Sequence, residues 1–169
     1  MKWTTKNMAL CAVLAALALG LSTLENLFPV TALVPVPGVK LGLANIVTVF
    51  ALYRLGAPEA LAILLVRCAL GGLFAGNVSA LLFSTLGGLC AMGVMILLRR
   101  WKGLSIYGVS IGGAAAHNIG QMAAAVITLG STMVLGYLPF LLAVSLFTGT
   151  LTGFVTALLL RATAHIRFR

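Results

Sequence analysis

Seven polar side chains, Glu25, Lys40, Asn45, Arg67, His117, Asn118 and Gln121, sit in or at the mouths of long apolar runs. Their types suit holding a small ligand. His117 and Gln121 are four residues apart, so one helical face would carry both, with Asn118 flanking them. Lys40, Arg67 and a protonated His117 would make a shared cavity electropositive, which fits an anionic or strongly hydrogen-bonding head group. The surrounding Leu, Val, Phe and Gly would suit an apolar ligand body. Each residue also has a plainer reading. Arg67 could be a structural charge bonded to helix carbonyls or to Glu25. His117, Asn118 and Gln121 could be hydrogen-bonding glue between helices. Lys40 could be a lysine snorkelling to the membrane interface. Asn77 reads as a turn residue, and Glu59, next to Pro58 in a first helical turn, as a charge that complements the helix dipole.

The same inventory excludes several chemistries. The chain has no aspartate, and Glu25 and Glu59 are its only acids. Magnesium-assisted prenyl-diphosphate or phosphoryl chemistry needs clustered carboxylates, which this sequence cannot assemble. No G-x-x-x-x-G-K-[ST] loop is present for ATP, and a Ser–His–Asp triad lacks its acid. The expectation is therefore a protein that is not an enzyme and carries no metal or cofactor. If it drives transport, the energy must come from an ion gradient or from partner subunits. A stand-alone ion-coupled carrier is disfavoured because no intramembrane acid is at hand for coupling.

The elements that must position these residues follow from composition. The 169 residues are 62% hydrophobic and 8% charged, with a mean hydropathy of +1.17. Soluble domains run near ~25% charged, so the expected solvent of this surface is lipid. The first apolar run is read as a membrane helix and not a signal peptide, because comparable runs follow it. The net charge of +9 lies in short clusters between apolar runs, which argues for membrane orientation and against nucleic acid. Cys11, Cys68 and Cys90 fall inside apolar runs without metal-ligand spacing and read as small core- or lipid-facing residues.

Six transmembrane helices are expected in a single all-α integral membrane domain spanning residues 1–169. They run over Asn7–Leu27, Val39–Tyr53, Pro58–Ala75, Val78–Leu98, Ile106–Leu129 and Leu138–Ala162. The second is short for a span of ~20 residues, so either it crosses only part of the membrane or its entry is the irregular PVPGVK segment. Lys2, Lys6, Arg54, Arg99, Arg100, Lys102, Arg161, Arg167 and Arg169 then fall on one side, so both termini are expected in the cytoplasm of a multi-pass cell-membrane protein. Arg67, His117 and Gln121 would lie at or beyond the bilayer midplane, and Asn45 about one and a half turns into the second helix. On the first helix Ala12 and Ala16 form an A-x-x-x-A pattern widened by Ala9, Ala15 and Gly20, a smooth surface that lets a second helix approach or that packs within the chain.

These blocks carry a resemblance. PGVKLGLANIVTVFALY, the helix with Arg67 and GGLFAGN, and AAAHNIGQMAAA resemble the Gx transporter family, whose members are often labelled heptaprenyl diphosphate synthase component I. The resemblance covers nearly the whole chain. That family is similar to the substrate-binding S components of energy-coupling factor (ECF) transporters. The resemblance implies a six-helix bundle that captures a micronutrient, or an isoprenoid- or quinone-related compound, from outside. It also implies docking on a transmembrane coupling subunit and two ATPase subunits through the surface that Ala9, Ala12 and Ala16 match. The synthase label implies the alternative of a non-catalytic membrane subunit of a prenyl transferase. The ligand motifs of the thiamine and riboflavin binders are absent, so no substrate carries over.

Overall fold

A computed structural model describes residues 5–25 and 42–166. Lys40, and with it the entry of the expected second helix up to residue 41, lies outside the described residues. Six α-helices follow one another: α1 Thr5–Glu25, α2 Asn45–Arg54, α3 Ala57–Ala75, α4 Val78–Arg99, α5 Ile106–Leu129 and α6 Leu138–Ala162. A 3-10 helix, Thr132–Tyr137, leads into α6. No strand occurs among the described residues.

Local chemistry sets these boundaries. Pro58 and Pro139 occupy first-turn positions of α3 and α6, where the missing N–H costs nothing. Asn77 caps α4 by accepting the Ser79 N–H at 2.8 Å, and Ser105 caps α5 through Gly108 N–H at 3.3 Å. Gly76 and Gly130 close α3 and α5 in left-handed conformation.

The second helix departs from expectation. Residues 42–44 form a turn, with Asn45 N–H bonded to Gly42 O at 2.9 Å and Ile46 N–H to Leu43 O at 3.0 Å. Asn45 is therefore the first residue of α2 and not one and a half turns inside it. The 10 residues of α2 span only ~15 Å. Four stretches are long and apolar enough to cross a membrane: Thr5–Glu25, Ala57–Ala75, Val78–Arg99 and Thr132–Ala162. The 24 residues of α5 are long enough, but their polar side chains place this helix outside that group.

Packing is densest along α4, α5 and α6, while α1 lies against α3 and α2. Glycine makes the tight seams. A methyl on Gly120 would lie 2.5 Å from Leu86 O, and one on Gly149 would lie 2.5 Å from Ile111 Cα. The main apolar cluster, including Leu14, Ala18, Val49, Leu52, Ile63, Leu64, Met92 and Met95, joins α1 through α4.

Cations gather at one end of the bundle and close helix C-termini there. Arg54 Nη2 donates to Thr163 O and, at 2.8 Å, to Ile166 O. Arg99 Nη1 donates to Leu52 O, and its guanidinium lies 5.0 Å from the centroid of the Tyr53 ring. The C-terminal ends of α2, α4 and α6 thus share a basic end, as the clustering of charge in the sequence implies.

Candidate functional site

Asn45 lies nine residues before the basic end of α2. Arg67 lies ten residues after the start of α3, and His117 eleven after the start of α5. At ~1.5 Å per residue, all three sit roughly 14–17 Å from the basic end. Three helices of different length therefore bring polar side chains to one level, near the middle of the bundle.

The contacts bear this out. Arg67 is 5% exposed, and its Nη2 reaches Asn45 Oδ1 at 3.5 Å, the long limit of a hydrogen bond. Its Nε has no partner among the described residues. Gly42, at φ +86°, brings backbone against side chains: a methyl there would lie 3.0 Å from Asn45 Nδ2 and 3.4 Å from His117 Cδ2. On α4, a methyl on Gly87 would lie 2.9 Å from His117 Cε1 and 3.1 Å from Gln121 Cγ. The His117 ring therefore occupies a slot between two glycines, one at the mouth of α2 and one in α4. Gln121 shares its face, as their spacing requires, and is fully buried.

Glu25 joins the cluster in an unexpected role. Its Oε1 accepts the Gly42 N–H, and its Oε2 accepts the Leu43 N–H at 3.2 Å. These amides precede the first turn of α2, so the carboxylate of α1 caps the start of α2. A negative charge is favourable at that positive end of the helix dipole, and amides inside an apolar bundle need an acceptor.

Asn118 stands apart from this group. Its Nδ2 donates to Leu141 O at 2.8 Å, which ties α5 to α6 on the side away from Gly87. Asn77 is the α4 cap, and Glu59 is buried in the first turn of α3, the places expected of them. Cys11 and Cys68 are buried and Cys90 is exposed, all as free thiols.

Three features escaped the reading of the sequence. Gly87 forms half of the His117 slot, and its signal is the Gly87–Gly88 pair inside an apolar run. Ser145, Thr148, Thr152 and Thr156 form a buried hydroxyl stripe on α6, visible as a spacing of three and four residues. The Thr156 hydroxyl lies 2.7 Å from Thr152 O and 3.4 Å from Ile46 O, so it also joins α6 to the first turn of α2. Ser110 Oγ, in the α5–α6 seam, is buried with no hydrogen-bond partner among the described residues.

The small-residue stripe of α1 faces outward. Ala9, Ala12, Ala16 and Gly20 are exposed, but Ala15, expected on the same surface, is buried with Ala18 because it turns toward the neighbouring helices. Ala12 also lines an open apolar groove of about 480 Å³ with Met8, Cys11 and Ala15 of α1 and Ala62, Ile63 and Val66 of α3.

An all-helical bundle of membrane type, with a polar cluster buried at mid-depth and cations at one end, defines the class of this protein. The chain belongs to the heptaprenyl diphosphate synthase component I family, whose model matches residues 14–159. The matched stretch takes in Glu25, Asn45, Arg67, His117 and Gln121, and includes Ala16 but not Ala9 or Ala12. The family name describes one component of a synthase and so implies a partner component. No curated protein and no solved structure matches the chain.

Proposed function

We propose that this chain is a non-enzymatic membrane subunit that captures a small molecule at the Asn45–Arg67–His117–Gln121 cluster and delivers it through partner subunits. The observation that carries this reading is Arg67. A guanidinium at mid-depth in an apolar bundle is costly, about 2.5–3.5 kcal/mol on insertion scales, and such residues are kept for function. In this reading all six helices lie in the membrane, with α2 entering only part way. The basic end faces the cytoplasm with both termini, and the cluster faces outward from the midplane. The cargo is a micronutrient or an isoprenoid- or quinone-related compound taken from outside. The partners are a transmembrane coupling subunit and two ATPases of the ECF type. The exposed Ala9–Ala12–Ala16 surface of α1 supports a docking role, since a smooth helix face lets a partner helix approach closely.

Family membership favours a second reading, a non-catalytic membrane component of a heptaprenyl diphosphate synthase system. One experiment separates the two. The full chain is purified in mild detergent, and its co-purifying proteins and small molecules are identified by mass spectrometry. Capture predicts a bound small molecule together with ATPase and coupling subunits. A soluble prenyl synthase with no bound small molecule would overturn it in favour of the second reading.

A further inference from the structure

We propose that the captured molecule carries an oxyanion, a carboxylate or a phosphate group, and that the Nε edge of Arg67 is its receptor. The proposal rests on the capture reading and names the chemistry of its cargo.

Four observations lead there. Arg67 is only 5% exposed, yet its only hydrogen bond among the described residues is the 3.5 Å contact with Asn45, and Nε has none. The acid in this cluster is already engaged, because both Glu25 oxygens accept the backbone amides that open α2. The other guanidiniums that bridge helices differ at their Nη groups. Arg54 bonds two carbonyls at the end of α6, and Arg99 bonds Leu52 O and faces Tyr53. Where the fold uses arginine as a structural tie, it provides carbonyl acceptors. At Arg67 it provides one distant amide oxygen. Finally, Asn45 Oδ1 is the atom that meets Nη2, so the guanidinium plane is steadied while Nε is left with unused donor capacity.

A guanidinium has five N–H donors in a planar fork that matches two oxygens of a carboxylate or phosphate, and it cannot give up its charge. A neutral carbonyl on the ligand would satisfy one donor and bring no countercharge into contact with the guanidinium, whose nearby acid, Glu25, is bonded to backbone amides. An oxyanion satisfies donors and brings the countercharge, through short charge-assisted bonds.

The test uses the full chain in phosphatidylcholine nanodiscs, titrated calorimetrically with inorganic diphosphate and, separately, with acetate. Saturable binding of at least one is expected. The preferred anion identifies phosphate or carboxylate as the recognised group. Arg67→Ala should weaken it roughly 10- to 100-fold, the span of a charged hydrogen bond. Arg67→Lys keeps the charge but loses the fork, and should still bind several-fold more weakly than wild type. In nanodiscs containing phosphatidylglycerol, a loss of the Arg67-dependent signal would assign the oxyanion to a lipid headgroup, and an unchanged signal to a free molecule. Absence of anion binding by folded wild type in phosphatidylcholine, or equal affinity in folded Arg67→Ala, would overturn the proposal. A neutral compound co-purifying equally with wild type and Arg67→Ala would overturn it too, while leaving the capture reading intact.

Discussion

Gly87→Ala tests the slot that holds His117. The added methyl would lie 2.9 Å from His117 Cε1, 3.0 Å from Nδ1 and 3.1 Å from Gln121 Cγ. Comfortable carbon contacts are about 3.5–4.0 Å, so the overlap is roughly half an ångström or more at three atoms. The ring has little room to retreat, because the Gly42 backbone lies on its α2 side. The helices also resist separation, since α4 and α5 are already in backbone contact where Gly120 meets Leu86. Overpacking of this kind costs about 1–3 kcal/mol. Against it stands the better helix propensity of alanine, worth up to about 1 kcal/mol. Gly93→Ala in the same helix isolates the two effects, because nothing lies within 4 Å of its added methyl. The propensity gain is common to both variants. Their difference in stability should therefore be about 1–3 kcal/mol, with Gly87→Ala the weaker. The assay is reversible denaturation of the purified chain in micelles, followed by helicity. Equal stability of the two variants would show that His117 is not held between Gly42 and Gly87, and the polar cluster would lose its centre.

Other expectations follow from single contacts. Gly42→Ala should lower stability by about 1–2 kcal/mol from the left-handed backbone alone, measured by thermal melting, with further loss from crowding of Asn45; a neutral outcome would refute the turn. Asn118→Ala removes the 2.8 Å bond to Leu141 O and should cost about 0.5–1.5 kcal/mol without altering the affinity for inorganic diphosphate; a weakened affinity would return Asn118 to the ligand site. Leu at both Ala12 and Ala16 should leave the melting curve unchanged and abolish co-purification of a coupling subunit, and continued assembly would refute docking through α1. A cysteine at Ser131 should label from outside the cell and one at Lys102 should not; the reverse pattern would invert the proposed orientation.

The helices with strong apolar runs and explicit stops were legible in the sequence. Ile106–Leu129 and Leu138–Ala162 are the observed limits of α5 and α6, because Ser105, Gly130 and Pro139 act locally. The start of α2 was not legible. Apolar periodicity continues through 39–44, but the chain turns at Gly42, and what stabilises the turn is a carboxylate 17 residues earlier. A tertiary cap of that kind leaves no mark on the local pattern. The pairing of His117 with Gln121 was legible from helical spacing. The contact between Asn45 and Arg67 was not, since it depends on how far α2 and α3 extend from their shared basic end. Asn118 shows the converse limit: adjacency in sequence to His117 places it about 100° around the helix, toward α6 instead of α4.

The shortness of α2 connects these findings. A full-length helix would carry its N-terminus to the polar surface, where water satisfies the first amides. A helix of 10 residues starts near the middle of the bundle, and the amides of the turn that leads into it need an internal acceptor. Glu25 supplies one, and in doing so it is committed to the backbone. Apart from Glu59 near the basic end, Glu25 is the chain's only acid, so its commitment leaves Arg67 without a carboxylate in contact among the described residues. The half-length helix, the carboxylate cap and the undersatisfied guanidinium are therefore one arrangement. Exchanging Glu25 for Gln keeps an acceptor for one amide but removes the charge at the helix start. It should destabilise the mouth of α2 by about 0.3–2 kcal/mol, as expected for a charge at a helix end, while anion binding at Arg67 is retained or strengthened because a neighbouring negative charge is gone. Loss of anion binding in a folded Glu25→Gln protein would mean that Glu25 holds Arg67 in place, and that the two are not separate devices.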